Sequence, residues 1–264
     1  STGFKAISTN LGANATVYAG LPMDPSIYFA NPEEAENFEV GFKKTFSNGY
    51  LNMSFFHMAV EGYQSNLFIG TGFNLVNIGE QTNKGVEIDS LFFLNENFVV
   101  TFAASYIDAT YNDFKNGPCD RTFVPPASDD CPIVNGGPAR VKDFTGRRPS
   151  GVPELAITVS GTYTFNLTEN MTGYIRGEYV YEDEYQATDA VPVEVPGALR
   201  KVGTLNASLG VKDSASGFSL MLCGRNINDD EFIYTGFNVP GSPGSYAGYP
   251  VVPKMWGLTL SREF

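Results

Sequence analysis

From residue 98 onward apolar and polar side chains take turns. Phe98, Val100, Phe102, Ala104 and Tyr106 share one parity, and Val99, Thr101, Ala103 and Ser105 share the other. A strand sends successive side chains to opposite faces, so this stretch predicts a strand with one apolar and one more polar face. The same period returns along the chain. Phe38, Val40, Phe42 and Phe46 oppose Glu39, Gly41, Lys43 and Thr45; Val86, Ile88 and Phe92 oppose Gly85, Glu87 and Asp89. Leu155, Ile157, Val159, Tyr163 and Phe165 oppose Ala156, Thr158, Ser160, Thr162 and Thr164. At the end Trp256, Leu258, Leu260 and Phe264 oppose Gly257, Thr259, Ser261 and Glu263. Residues 50–64 form one further long strand whose parity changes near Phe55 and Phe56, where a bulge is expected. A short strand over residues 1–10, the strand 171–185 with Met171, Ile175, Tyr179, Tyr181 and Tyr185 on one face, and residues 199–211 and 218–228 complete the set, roughly ten strands in all.

The connections alternate in length. Ser47-Asn48-Gly49, residues 95–97, 167–170 and 212–217 are short, whereas 11–36, 112–152, 187–197 and 229–252 are long, with residues 65–73 a medium connection. A soluble sandwich has no reason to keep that alternation. A transmembrane barrel has one, because its inner turns are short and its outer loops long. The expected fold is therefore all-β, an antiparallel transmembrane β-barrel with extracellular loops and periplasmic turns. Phe46, Phe98, Phe165, Phe218 and Phe264 fall at the short-turn ends; Tyr63, Tyr106, Tyr111, Tyr181 and Tyr185 fall towards the long loops. Two such girdles suit the two interfaces of a bilayer.

Composition sharpens this picture in three ways. Only 17% of residues are charged, and 28 Gly, 14 Tyr and 21 Phe suit strands with much aromatic surface. No apolar run approaches the roughly 18–20 residues of a spanning helix, whereas a barrel strand needs only about 9–11. The formal net charge of −12 argues against a nucleic-acid partner, which calls for a basic surface.

Several segments carry a family resemblance in order along the chain. They are Gly3-Phe4-Lys5, Asn31-Pro32-Glu33-Glu34 with Phe38-Glu39-Val40-Gly41-Phe42-Lys43, and Asn77-Ile78-Gly79 with Lys84-Gly85-Val86-Glu87-Ile88. Gly146-Arg147-Arg148-Pro149 with Val152-Pro153-Glu154, and Gly224-Arg225-Asn226-Ile227-Asn228-Asp229, come after them. Together they resemble the C-terminal half of the barrel of TonB-dependent outer-membrane receptors. Trp256, Leu258, Leu260 and the final Phe264 resemble the barrel-closing signal of outer-membrane proteins. That family has a plug domain and a barrel of about 22 strands. The resemblance thus implies that residues 1–264 are the C-terminal part of the barrel, with the plug outside this chain; a complete small barrel is the alternative. It also implies a bacterial outer-membrane location, lipid contact, and partners in the remaining strands and plug of the same receptor. Through the missing N-terminal part it implies the TonB complex, and as cargo a small-molecule nutrient such as a metal chelate, a vitamin-like compound or a glycan. A stand-alone barrel acting as a passive channel or a surface component is the alternative function.

Candidate chemistry is sparse. Cys119 and Cys131 share a Pro- and Asp-rich loop with no histidine near, which favours a disulfide over a metal site; Cys223 reads as a free thiol. His57 is the single histidine and sits mid-strand without a nucleophile motif, so no enzyme and no cofactor are expected. Glu182-Asp183-Glu184 and Asp229-Asp230-Glu231 read as acidic rims, with Ca²⁺ binding the other reading. Tyr111, Phe123, Tyr185, Tyr234 and Tyr246, on or near the outer loops, are the candidate extracellular ligand contacts. The cysteine reading is directly checkable. A non-reducing peptide map of oxidised protein is expected to join the peptides holding Cys119 and Cys131; free thiols at both positions contradict the bridge.

Overall fold

The computed structural model describes residues 1–9, 29–69, 72–115, 117–118, 141–239, 242 and 244–263. Cys119 and Cys131 of the expected disulfide, the candidate contact Phe123 and the terminal Phe264 lie outside the described residues. The strands, in chain order, are β1 (Thr2–Lys5), β2 (Ser8–Thr9), β3 (Phe29–Ala30), β4 (Glu33–Phe46), β5 (Gly49–Ile69), β6 (Gly72–Asn95), β7 (Phe98–Asp113) and β8 (Gly117–Pro118). They continue with β9 (Val141–Lys142), β10 (Leu155–Asn166), β11 (Met171–Gln186), β12 (Leu199–Asp213), β13 (Phe218–Arg225), β14 (Ile233–Asn238), β15 (Tyr246–Pro250) and β16 (Met255–Arg262). Ten of them make one antiparallel sheet in the order β1-β4-β5-β6-β7-β10-β11-β12-β13-β16. Each wall strand is thus hydrogen-bonded to the wall strands before and after it in sequence. The other six pair off as β2–β3, β8–β9 and β14–β15. All three ribbons stand within the long connections.

Residues directly opposite each other in an antiparallel ladder share a face. One row across the wall reads Gly41, Ser54, Glu87, Ser105, Ala156 and Glu182. The adjacent row reads Val40, Phe55, Val86, Tyr106 and Leu155. One residue of shift therefore exchanges a polar surface for an apolar one along the width of the sheet, as the sequence period requires. The polar row is concave, because residues of β4, β5, β6, β7, β10 and β11 line a single hollow of about 490 Å³. The apolar row faces outward and stays uncovered, with Phe38 and Leu258 70% exposed, Leu260 69% and Trp256 62%. A wall facing water does not leave so continuous an apolar band bare. A barrel wall facing lipid must. The sheet does not close on itself: β1 and β16 each have one wall neighbour.

The short-turn end is lined by aromatic rings. Phe46 and Phe92 lie 5.6 Å apart, Phe98 and Tyr163 6.4 Å, Tyr163 and Phe165 6.1 Å, and the Arg262 guanidinium stands 4.9 Å over Phe218. The tyrosine girdle expected at the other end is thinner than the sequence suggests. Tyr106 and Tyr181 belong to the outward set. Tyr111 and Tyr185 are instead buried, and Tyr63 packs against a core of Ile78, Tyr111, Phe114 and Phe144.

Three boundaries differ from expectation. The pairing of β5 with β6 runs without interruption past Phe55 and Phe56, and the irregularity comes at Gly62, between the Glu61–Glu80 and Tyr63–Ile78 pairs. Gly62 has φ +64°, and a Cβ there would approach the Pro32 carbonyl oxygen to 2.9 Å. The positive φ and the close approach both call for glycine, while the register is the same on either side of it. The medium connection expected over 65–73 is mostly strand, because β5 and β6 pair up to Ile69 and Gly72. Finally, β13 ends at Arg225, short of the expected residue 228, where Asn226 turns the chain with φ 49°.

The closing strand offers the sharpest contrast on this wall. Leu258 pairs with Leu222 on the outward face, and its neighbour Thr259 pairs with Met221 on the other. An arginine on the lipid face near mid-bilayer costs about 2–4 kcal/mol, and far less in a hydrated interior. Leu258→Arg is thus expected to reduce the heat-modifiable barrel in outer-membrane fractions much more than Thr259→Arg. Equal yields contradict a lipid-facing row.

Candidate functional site: the polar concave face and its outer rim

The concave face is built from inward positions of β4 to β7 and β10 to β12. On β5 and β6 the Asn52 amide donates to both Asp89 oxygens, at 3.2 and 3.1 Å. On β11 and β12 Arg176 pairs with Glu178 at 2.8 Å, and Asn206 donates to the other Glu178 oxygen at 3.3 Å. Thr101 and Ser160 share a hydroxyl hydrogen bond of 2.7 Å between β7 and β10. Glu39, Lys43 and Glu87 join Asp89 around the central hollow. These pairs hold polar groups at fixed positions along the concave wall. His57 is on the opposite face, in register with outward Phe38 and with Lys84. Lys84 itself pairs with Asp108 at 3.1 Å. The structure thus places no inward histidine beside the carboxylates.

At the long-loop end the arrangement centres on Arg200. Its guanidinium reaches Glu182 at 3.0 Å and lies within 5.5 Å of the Tyr185 ring, 5.0 Å of Phe232 and 4.8 Å of Tyr234. Glu182 also accepts the Tyr185 hydroxyl at 2.6 Å. A planar, weakly hydrated guanidinium suits such an aromatic box. Arg200 thereby ties the wall to the β14–β15 ribbon above it. Two of the candidate contacts, Tyr185 and Tyr234, meet here, and Tyr234 is 60% exposed. Tyr111 lies apart. Its ring packs edge-on against Phe114 at 4.9 Å, and Phe114 against Phe144 at 5.4 Å. Tyr246 sits in the ribbon opposite Asn238. Beside Tyr111, in the loop after β11, burial lifts the Asp189 carboxyl above its ordinary range, opposed by a Ser150 hydrogen bond and the Arg147 charge.

The segments that carry the family resemblance turn out to be strand-end caps. The Asn77 amide accepts from the Asn31 N–H at 2.7 Å and donates to the Asn31 and Gly62 carbonyls at 3.0 and 2.6 Å. Buried Gln64 donates to the carbonyls of Ala6 and Asn31, and its own N–H donates to Glu33. Arg148 and Glu154 form an ion pair of 3.3 Å that Tyr106 joins through a 2.8 Å hydrogen bond. After β13, Asn226 accepts from the Asp230 N–H at 2.8 Å and donates to the Asp230 and Val252 carbonyls at 2.9 and 3.3 Å. Asn228 and Asp230 accept from the N–H groups of Leu205 and Gly203, so side chains satisfy the β12 edge where β13 has ended. The acidic clusters are largely spent in the same way. Asp183 caps Glu154, Asp229 caps Lys254 and Asp230 caps Gly203. Among the described residues no three His, Cys, Asp or Glu side chains gather as a metal site. The sequence alone does not single out Arg200, Gln64 or the hub role of Asn226; only Asn226 carries a signal, its place in the Gly224–Asp229 segment of the family resemblance.

The family pattern described as "TonB dependent receptor-like, beta-barrel" matches residues 1–227. No curated protein sequence matches the chain. Among solved structures, the ferric yersiniabactin uptake receptor FyuA of Yersinia pestis superposes with a TM-score of 0.69 at 15% identity, over 100% of this chain and 34% of that one. The siderophore receptor PiuA of Acinetobacter baumannii gives 0.57 at 16%, over 87% and 28%. The copper transporter OprC gives 0.59 at 9%, over 89% and 32%. At these identities the likeness is one of fold, and the chain spans about a third of each of these proteins.

The caps and the rim each generate a measurable outcome. Asn226→Leu keeps the bulk but leaves buried backbone groups unpaired, at about 1–3 kcal/mol each; a lower unfolding temperature with an intact β-signature in circular dichroism is expected, and an unchanged temperature contradicts the hub. Asp189 has a raised folded-state pKa, so its ionised form is disfavoured in the fold and the penalty is present above that pKa. Asp189→Asn is therefore expected to slow proteolysis of the 187–198 loop at about pH 8 and to match wild type near about pH 4.

Proposed function

We infer the function from the family to which this chain belongs, the TonB-dependent receptors, through its β-barrel. Members of that family are outer-membrane transporters of Gram-negative bacteria and not enzymes, and the two-faced wall is the part that crosses the membrane. We propose that residues 1–264 form the C-terminal part of the receptor's barrel. The remaining strands complete the barrel at the free edges of β1 and β16, and the plug docks on the polar concave face. The TonB complex supplies energy through that other part of the protein. The cargo is a scarce small-molecule nutrient: a metal chelate, a vitamin-like compound or a glycan.

The observation that carries this reading is the pairing of a charged, hydrogen-bonded concave wall with a bare apolar outer face. An interior rich in Glu39, Lys43, Glu87 and Asp89 suits a hydrated plug and passing solute, and the aromatic rim of Tyr185, Phe232 and Tyr234 suits contact with a ligand arriving from outside. A metal chelate stands first in the trial set because two of the structural neighbours are named for a ferric chelate or for siderophores.

The test uses a strain lacking the gene for this chain, with uptake of a labelled ferric siderophore, a corrinoid and an oligosaccharide measured against its parent. Loss of one uptake activity that a protonophore also abolishes in the parent is expected. Uptake that persists through protonophore treatment indicates a passive channel and contradicts the proposal.

A further inference from the structure

The connection between β13 and β16 is pinned at its base and loosely held above it. At the base, Asn226 donates to the Val252 carbonyl and Asp229 accepts from the Lys254 N–H. Asp230 accepts from the Gly203 N–H, and the Val251 N–H donates to the Phe232 carbonyl. Above that root β14 and β15 pair with each other as a sheet of two strands, separate from the wall. Side-chain packing holds the ribbon in place. Val191 stands over Gly236, where a Cβ would meet it at 3.0 Å, Ile233 stands over Gly197, and the Tyr234 ring lies 4.8 Å from the Arg200 guanidinium. The far face of the ribbon is bare, with the Phe237 and Tyr249 rings 5.9 Å apart and both exposed.

We propose that the β14–β15 ribbon is a strap over the outer mouth of the concave face, clasped shut by Arg200 and opened by a swing about its root at Phe232 and Val251. Position is the first reason. Arg200 follows the inward parity of β12, where Val202 pairs with Glu182 and Asn206 with Glu178. Its guanidinium meets Glu182 at 3.0 Å on the wall side and Tyr234 on the ribbon side. The ribbon is thus held from the inside of the barrel and leans over the opening. Phe232 belongs to the root, so its ring stays beside Arg200 when the ribbon swings. Tyr234, 60% exposed, is the ring that leaves. The wall side of the clasp stays in place, because the Tyr185–Arg200 pair ladders β12 to β11 at this level.

Balance is the second reason. Arg200 Nε is buried and has no hydrogen-bond partner among the described residues. An unsatisfied buried donor penalises the shut state, and a ring over a guanidinium returns a stabilisation of similar size. The clasp therefore holds the strap without locking it. Glu182 also lines the central hollow, so the carboxylate that anchors the clasp borders the space the strap covers. The proposal rests on the barrel reading for which end is the mouth and takes nothing from the identity of the cargo.

The strap is tested on the full receptor in a bilayer, on a background free of reactive thiols, by electron–electron double resonance. Nitroxides are attached at position 249 on the ribbon and position 209 on β12, both exposed. One narrow distance is expected for the parent. Arg200→Gln is expected to lower the ratio of shut to open strap roughly tenfold, which adds a longer and broader distance. Tyr234→Leu removes the exposed ring and leaves the wall untouched; it is expected to act in the same direction and to add little when combined with Arg200→Gln. Arg200→Lys keeps the charge and is expected to stay mostly shut. A second label pair within the wall, at positions 209 and 258, is expected to keep one distance throughout. If Arg200→Gln does not assemble, Tyr234→Leu decides alone. Unchanged ribbon distances in these variants, a parent already spread over many distances, or an equal shift in the wall pair overturns the proposal. No nutrient enters the readout, so failure here leaves the receptor function standing.

Discussion

In a bilayer core no water is present to pair a backbone N–H or C=O, so the ladder between strands must satisfy every one of them. The rest of this structure depends on that requirement. It explains why the ten wall strands run in chain order with each paired to its neighbours, and why the ribbons β2–β3, β8–β9 and β14–β15 occur only in the long connections. It also explains where side chains take over. Asn228 and Asp230 accept from the β12 edge at the level where β13 has ended, and Asn226 holds Asp230 in place. Asn77 and Gln64 do the same service around Gly62, where the ladder skips one pair without a change of register.

Given a satisfied ladder, the period of two decides function. The row containing Val40, Phe55, Val86, Tyr106 and Leu155 meets lipid, and the row containing Gly41, Ser54, Glu87, Ser105, Ala156 and Glu182 meets the interior. No catalytic arrangement is needed for such a wall to work. Its polar face must remain hydrated and shaped, and in the proposed function its outer rim presents groups to an arriving ligand. Arg200 links the two tasks, because its partner Glu182 borders the inner hollow while Phe232 and Tyr234 belong to the outer connection.

The wall was legible in the sequence because alternation and short turns are local signals. Ser47-Asn48 and Leu167–Asn170 turn where the turn residues say they should, and the strands between them keep the expected parity except β5, which runs through Phe55 and Phe56 without the expected change. Features fixed by distant residues were not legible. The need for glycine at position 62 depends on Pro32, thirty positions earlier in the chain. Tyr111 and Tyr185 have the composition of girdle residues, yet contacts with Phe114 and Arg200 bury them. The Pro-rich stretch after Asp229 reads as loop, yet it pairs as β14–β15 through residues separated by the turn between them. Arg200 has no motif around it, and its aromatic box is assembled from β11 and the connection after β13.

The central claim is that one residue of shift moves a side chain from lipid to the hydrated interior. The most direct measurement is a nitroxide scan of positions 255–262 in the assembled receptor reconstituted in a bilayer, on a background free of reactive thiols. Collision with oxygen, which concentrates in lipid, is compared with collision with a water-soluble nickel chelate. The account predicts oxygen maxima at Trp256, Leu258 and Leu260 and nickel maxima at Gly257, Thr259 and Ser261. A smooth profile without that alternation would contradict it.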